Sequence, residues 1–226
     1  MWQQFDDAGI VLTAEMREKF DTYCRFLTTT NEKFNLTAIT ERDEIIEKHF
    51  FDSAFASKFL PPSAMVCDVG SGAGFPGMPL KIVRSDLQLT LVDSLGKRVN
   101  FLKELCSLLN LPCRVEHARA EDFSNGPDRE TFDVAVSRAV APLNVLLEYL
   151  AALVKVGGKI VAYKTDESEV ATCKNACNLL GLRFSSSVDY VLSSSGARRC
   201  LLIFDKIRPT PKKFPRGQNK PRKEPL

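Results

Sequence analysis

Apolar positions along the chain follow two different periods. Near the start, Met16, Phe20, Tyr23, Cys24 and Leu27 recur at i, i+4, i+7, i+8 and i+11, the spacing of one helical face. The stretch 31–37 interrupts that pattern. A capping-box-like start, Thr40-x-x-Asp43, then predicts a second helix carrying Ile45, Ile46, His49 and Phe50, with a third from about 55 to 60. From residue 65 the pattern changes. Short apolar runs at 65–69, 87–93, 113–118, 132–138, 159–164, 188–192 and 200–207 read as strands, several of them bounded by Pro, Gly or Asn. Helical stretches fall between them at 78–83, 95–109, 143–153 and 166–181, and Ser94 is placed to cap the second of these. The link 193–199 is too short for a helix, so the last two strands must be antiparallel.

This alternation predicts an α/β fold of Rossmann-like type. It has a mostly parallel seven-stranded sheet ending in an antiparallel hairpin, plus an N-terminal helical extension. The boundaries follow the composition: residues 1–60 as a helical extension separate from the sheet, 61–207 as the sheet domain, and 208–226 as a flexible tail rich in proline and charge.

A chain of 226 residues, 44% hydrophobic and 26% charged, has the makeup of one globular domain with an appendage. It contains no run of about 18 apolar residues. It also lacks a basic-then-apolar signal pattern at its start, so no membrane association and a cytoplasmic location are expected; a monomer is the expected state. The seven cysteines are odd in number and scattered, with no Cys-x-x-Cys. The two histidines complete no ligand set with them, so buried thiols and no metal are expected.

Charge changes the picture only at the end of the chain. From Lys206 onward, eight basic residues face the single acid Glu224. That is +7 within a total of +3, leaving −4 on the rest. A basic tail on an acidic body points to a polyanionic partner.

The candidate chemistry lies in Asp68-Val-Gly-Ser-Gly-Ala-Gly-Phe-Pro-Gly77. Gly70, Gly72, Gly74 and Gly77 permit a sharp turn and close approach of a ligand. The helix that opens at about residue 78 would turn free N–H groups and a positive dipole end toward an anionic group. Asp93 ends the next strand about 20 residues later, where a carboxylate can accept from ribose hydroxyls. NAD and S-adenosylmethionine (SAM) both carry such a ribose, and Asp93 as a mere strand-end acid is the plainer alternative. The stretch 120–123 reads either as a pocket-mouth segment able to meet an adenine edge or as an acidic loop before Gly126-Pro127. Arg138 and Lys164 stand at the ends of the fourth and fifth strands. His49 reads as a packed, hydrogen-bonded histidine at a domain junction.

Several motifs occur together: Asn35-Leu-Thr, His49-Phe-Phe-Asp-Ser53, the glycine loop, Asp93-Ser-Leu-Gly-Lys-Arg98, Arg119-Ala-Glu-Asp122 and Ser137-Arg-Ala-Val-Ala-Pro142. In this set and order the chain resembles the bacterial RsmG (GidB) family. That resemblance implies a class I SAM-dependent methyltransferase that modifies N7 of one guanine in 16S rRNA. Its partner would be 16S rRNA within the small ribosomal subunit or an assembly intermediate. By the same resemblance Gly70 and Phe75 line the methionine end of SAM, Ala120 and Glu121 meet the adenosine end, and Arg138 reaches in. Gly72, Gly74 and Asp93 complete the expected cofactor set.

Guanine N7 has an in-plane lone pair and no proton to lose, so alignment can carry the reaction without a general base. Arg138 and Lys164 are the alignment candidates, and the catalytic residue itself is left unassigned. Lys212, Lys213 and Arg216 are the expected RNA contacts, with Phe214 free for stacking. Two other classes fit parts of the pattern. One is an RNA-binding module with a non-catalytic nucleotide pocket. The other is a small NAD(P)-dependent oxidoreductase, against which the missing Tyr-x-x-x-Lys relay counts.

Overall fold

The computed structural model describes residues 2–226. Seven strands form one sheet in the order β3-β2-β1-β4-β5-β7-β6. They are β1 Met65–Val69, β2 Gln88–Asp93, β3 Cys113–His117, β4 Phe132–Arg138, β5 Val154–Lys164, β6 Leu182–Val191 and β7 Arg198–Lys206. β1 to β5 are parallel, and β7 lies antiparallel to both β5 and β6. The mostly parallel sheet with its closing hairpin is therefore the architecture that the apolar runs predict. β6 starts earlier than its pattern suggests because α9 (Lys174–Leu180) stops at Gly181, whose φ of +77° turns the chain straight into the strand.

Helices cover both faces. On one face α5 (Gly77–Val83) and α6 (Gly96–Leu108) pack with α1 (Gln3–Asp7), α2 (Ala14–Phe34) and a continuous helical run. That run comprises α3 (Arg42–Ile45), a π-helical turn (Ile46–Phe51), α4 (Asp52–Ala54) and a 3₁₀ turn (Phe55–Phe59). On the other face lie α7 (Ala120–Ser124), α8 (Leu143–Ala151), the 3₁₀ turn Ser168–Cys173 and α9.

Three sequence expectations change here. Residues up to 60 do not stand apart from the sheet: Phe5, Phe20, Tyr23 and Phe50 share one hydrophobic cluster with Val66, Val134 and Val161. α2 runs through the predicted interruption to Phe34 and ends at Asn35 in the left-handed region, while the Asn31 amide bonds both backbone groups of Thr37 at 2.9 Å. Thr40 does not cap the next helix, which starts after Glu41 without a side-chain cap.

The largest correction concerns 208–226, which is seated on the body rather than flexible in solvent. Thr210, Phe214 and Pro221 are buried, and a short helix, α10 (Lys220–Lys223), follows. Arg129 donates to Thr210 O at 2.7 Å and Phe214 O at 2.8 Å. Lys206, counted among the basic tail charges, is itself buried at the end of β7, with Glu130 at 3.1 Å. The physical reason lies in α8, whose eight residues from Leu143 and Val145 to Ala151 are buried on every side. Glu148 is among them, and the terminal segment covers that side of the helix by bringing Arg216 to its carboxylate and Leu226 O to Asn144.

Candidate active site

Strand order reverses between β1 and β4, so the loops leaving them diverge and open a crevice at the carboxyl edge of the sheet. It encloses about 430 Å3, within the range of small-molecule sites. Its lining brings together Gly70, Gly72, Phe75, Asp93, Ala120, Glu121 and Arg138 from the expected set. Gly74 stands one step behind, where a Cβ would come within 2.5 Å of the Tyr23 hydroxyl. Gly70 has φ +74°, and a Cβ there would collide with a methyl of Val140 from the β4–α8 connection. The two loops can approach this closely only across a glycine.

The free N–H groups expected at the helix N-terminus after the loop are not what the structure contains, and the loop amides are bonded as well. Gly70 N and Ser71 N donate to Val92 O at 2.8 and 3.1 Å, and Gly74 N and Phe75 N donate to Ser71 O at 2.7 and 2.8 Å. Gly72 N donates to Asp93 Oδ2 at 2.9 Å and Gly77 N to Asp68 Oδ2 at 2.8 Å. The loop is thus held shut by two carboxylates, and α5 does not turn open N–H groups to an anion. Asp93 also accepts from Leu95 N at 2.9 Å, and α6 starts after Leu95 with no side-chain cap, so Ser94 does not cap it.

Asp68 is fully buried and its Oδ1 has no hydrogen-bond partner among the described residues. Burial pushes its carboxyl up to about 7, against the pull of the Gly77 amide.

A compact network backs the Phe75 wall. The Phe75 ring lies 4.4 Å from the His49 ring at 21° and 5.5 Å from Tyr23 at 16°, and the Arg138 guanidinium carbon is 5.0 Å from its centroid. Arg138 donates to Asp52 Oδ2 at 2.6 Å, Lys48 O at 3.0 Å and His49 Nδ1 at 3.1 Å. With Nδ1 accepting, the His49 proton sits on Nε2 and donates to Thr37 Oγ1 at 2.8 Å. Burial, with the Arg138 charge second, holds His49 down to about 3, so the ring stays neutral. Asp52 also accepts from Tyr190 Oη at 2.7 Å.

His49 is thus a lining residue tied to Arg138 and not only a packing histidine. The signal for it in the sequence was the i, i+3 pair His49 and Asp52, set against a strand-end arginine. Tyr149, Asn219 and Arg222 also line the crevice and were missed.

Two groups of expected residues lie elsewhere. Lys164 is not among the lining residues: its ammonium donates to Ala141 O at 3.0 Å and pairs with Glu169 at 2.8 Å. Of the expected RNA contacts, Lys212 and Lys213 are exposed, but Arg216 is bound to the fully buried Glu148 at 2.6 Å. Phe214 is buried and not free to stack on a base.

The ordered sheet, the crevice at its switch point and the glycine loop between β1 and α5 define a class I methyltransferase architecture. A SAM-dependent methyltransferase from Aquifex aeolicus shares the fold, with TM-score 0.55 at 20% identity, covering 73% of this chain and 93% of that one. So does M. jannaschii TYW2 in complex with AdoMet, with TM-score 0.56 at 14% identity over 70% of this chain and 76% of that one. The family model for rRNA small subunit methyltransferase G (GidB) matches residues 16–195. Ribosomal RNA small subunit methyltransferase G of Staphylococcus haemolyticus is 44% identical over 99% of this chain and 95% of its own length. The protein of the same name from Levilactobacillus brevis is 44% identical over 96% and 94%. The chain belongs to the rRNA small subunit methyltransferase G family.

Proposed function

We propose that the chain transfers the methyl group of SAM to N7 of a guanine in 16S rRNA, acting as a monomer on the small ribosomal subunit or its assembly intermediate. The observation that carries this reading is Glu121. It is 6% exposed, lines the crevice, and makes no hydrogen bond or ion pair with any described residue, so its carboxylate is left for a ligand donor. Its oxygens open onto the crevice, so a ligand donor can bond them without first displacing a protein partner. The crevice volume and this acceptor fit a nucleoside such as SAM.

Ala120 and Glu121 would hold the adenosine end, Asp93 the ribose, and Gly70, Gly72 and Phe75 the methionine end. When bound, SAM supplies an electrophilic methyl on a sulfonium. The chain's own part is positioning. Both His49 nitrogens are engaged, each Asp93 oxygen accepts one amide and keeps a lone pair only for the ribose side, and Asp68 lies beneath the loop. No lining group is therefore free to take a proton at the Arg138 end, which suits a nucleophile that has none to give. Arg138, fixed by Asp52 and His49, is the alignment residue, able to meet guanine O6 or a phosphate while N7 stays open.

The test is labelled SAM with small subunits from a strain lacking this enzyme, followed by mapping of the modified base. Label on a single guanine N7 of 16S rRNA is expected. Label on protein, or nowhere, overturns the assignment.

A further inference from the structure

We propose that Arg222 is a cofactor-binding residue that holds the adenosine end of SAM, carried to the crevice by a strap folded from residues 208–226. This rests on the SAM reading above and lies outside the family match, which ends at 195. Two anchors fix the strap. Phe214, 3% exposed, inserts into the hydrophobic cluster of α8 and α9. Glu148, fully buried on α8, receives Arg216 N and Nε at 2.8 Å and Nη2 at 2.6 Å. The following turn runs through Gln218 and Asn219, both at φ +58°, and brings Asn219 and Arg222 to the cavity edge.

Arg222 is pinned there in two ways. It donates to Val140 O at 2.9 Å, on the residue whose side chain packs against Gly70. Its charge also lies beside the Tyr149 phenol, which burial pushes up and that charge pulls down, and both residues line the cavity. Tyr149 and Arg222 therefore face the cavity beside the unpartnered Glu121. A fixed guanidinium offers N–H donors and a planar face to ring nitrogens, while a carboxylate accepts from amino and hydroxyl groups. Together they match a purine nucleoside, whose edge alternates acceptors and donors. The strap supplies one half of that pair and the body the other.

Isothermal titration of the full chain with SAM and with 5′-methylthioadenosine, which keeps adenosine and lacks the methionine end, separates the possibilities. Arg222→Ala is expected to weaken both ligands about tenfold, the weight of one charge-assisted contact, without lowering the melting temperature. Arg222→Lys, which keeps the charge but not the fork, is expected to weaken both about threefold, and it carries the test should the alanine variant unfold. Lys223→Ala should bind as the unaltered chain does. Arg222 variants that bind both ligands normally overturn the assignment. Weakening of SAM alone does so too, since it would move Arg222 to the methionine end. An unaltered chain that binds neither ligand refutes the SAM reading, and this assignment falls with it.

Discussion

Arg138 sits among the Asp52 carboxylate, the Lys48 carbonyl and His49 Nδ1, and its effect on stability depends mostly on the first of these. Asp52 is 3% exposed, so removing the guanidinium leaves a nearly buried carboxylate short of its main counter-charge. Arg138→Ala is expected to lower unfolding free energy by about 3 kcal/mol, leaving Asp52 only Arg199 at 3.5 Å as counter-charge, and Arg138→Ala with Asp52→Asn should recover part of the loss because the poorly compensated charge is gone. Urea unfolding of the two single variants and the double decides it. Strictly additive losses would show that the two do not interact.

Asp68 gives a second test at the same scale. Its folded carboxyl holds a proton up to about 7, while in the unfolded chain it ionises near about 4. Between those values the folded state binds the extra proton, so the carboxyl makes the chain less stable as pH rises from about 4 to about 7. In Asp68→Asn that slope should vanish. His49 acts in the opposite sense as pH falls, because its folded value is depressed, and this part is common to both proteins. On going from pH 5 to pH 8 the unfolding free energy of the variant should therefore rise relative to that of the unaltered chain, because the opposing Asp68 contribution is gone and the His49 contribution remains. Equal slopes would exclude the burial argument.

At the scale of elements, the glycine loop and the β4–α8 connection are packed across Gly70, while Ala139 next to Val140 takes φ +58°. Gly70→Ala brings a left-handed alanine against Val140 and should weaken SAM binding at least tenfold. Val140→Ala in the same chain relieves the collision but not the φ strain, so it should restore binding only in part. Titration of both variants checks this, and full restoration would leave the φ without influence.

The elements also differ in how much the sequence discloses. The strands are legible because each is a short apolar run, and the hairpin because residues 193–199 leave no room for a crossover. The π turn at Ile46–Phe51 is not, since one extra residue per turn leaves little trace in an apolar period. It nonetheless presents Lys48 O and His49 to the guanidinium that also meets Asp52 at the start of α4. The terminal segment was misread because proline and charge dominate its composition. The contrary sign lies only in tertiary structure, in the buried Glu148 of α8, whose carboxylate takes Arg216 as its partner. Asp93 and the glycines were legible as a set; Tyr149 and Arg222 were not, because each lies on an element whose neighbours only tertiary packing supplies.

For the molecule as a whole, seating the strap redistributes the basic charge inferred for RNA. Lys206 and Arg216 are used internally, leaving Lys212 and Lys213 among the exposed cations. If these two touch phosphates, Lys212→Ala with Lys213→Ala should flatten the dependence of RNA affinity on salt by about 0.7 log units per lost contact to a single strand. Arg216→Ala should instead act on stability, through the stranded Glu148. Binding measured across a salt series distinguishes the two effects. An unchanged slope removes the pair from the RNA interface.

The cysteines have a consequence of their own. All seven are free, and six are buried in different layers: Cys24 in α2, Cys67 in β1, Cys106 in α6, Cys173 and Cys177 at α9, and Cys200 in β7. Cys113, the partly exposed one, has its thiol pushed up by a hydrogen bond to Cys106 and so is a poor nucleophile. An alkylating reagent added to the native protein is therefore limited less by its own chemistry than by how often each layer opens. Identifying which cysteine is labelled first would reveal the order in which the helical cover, the sheet and the far-side helices loosen, with no foreign probe introduced.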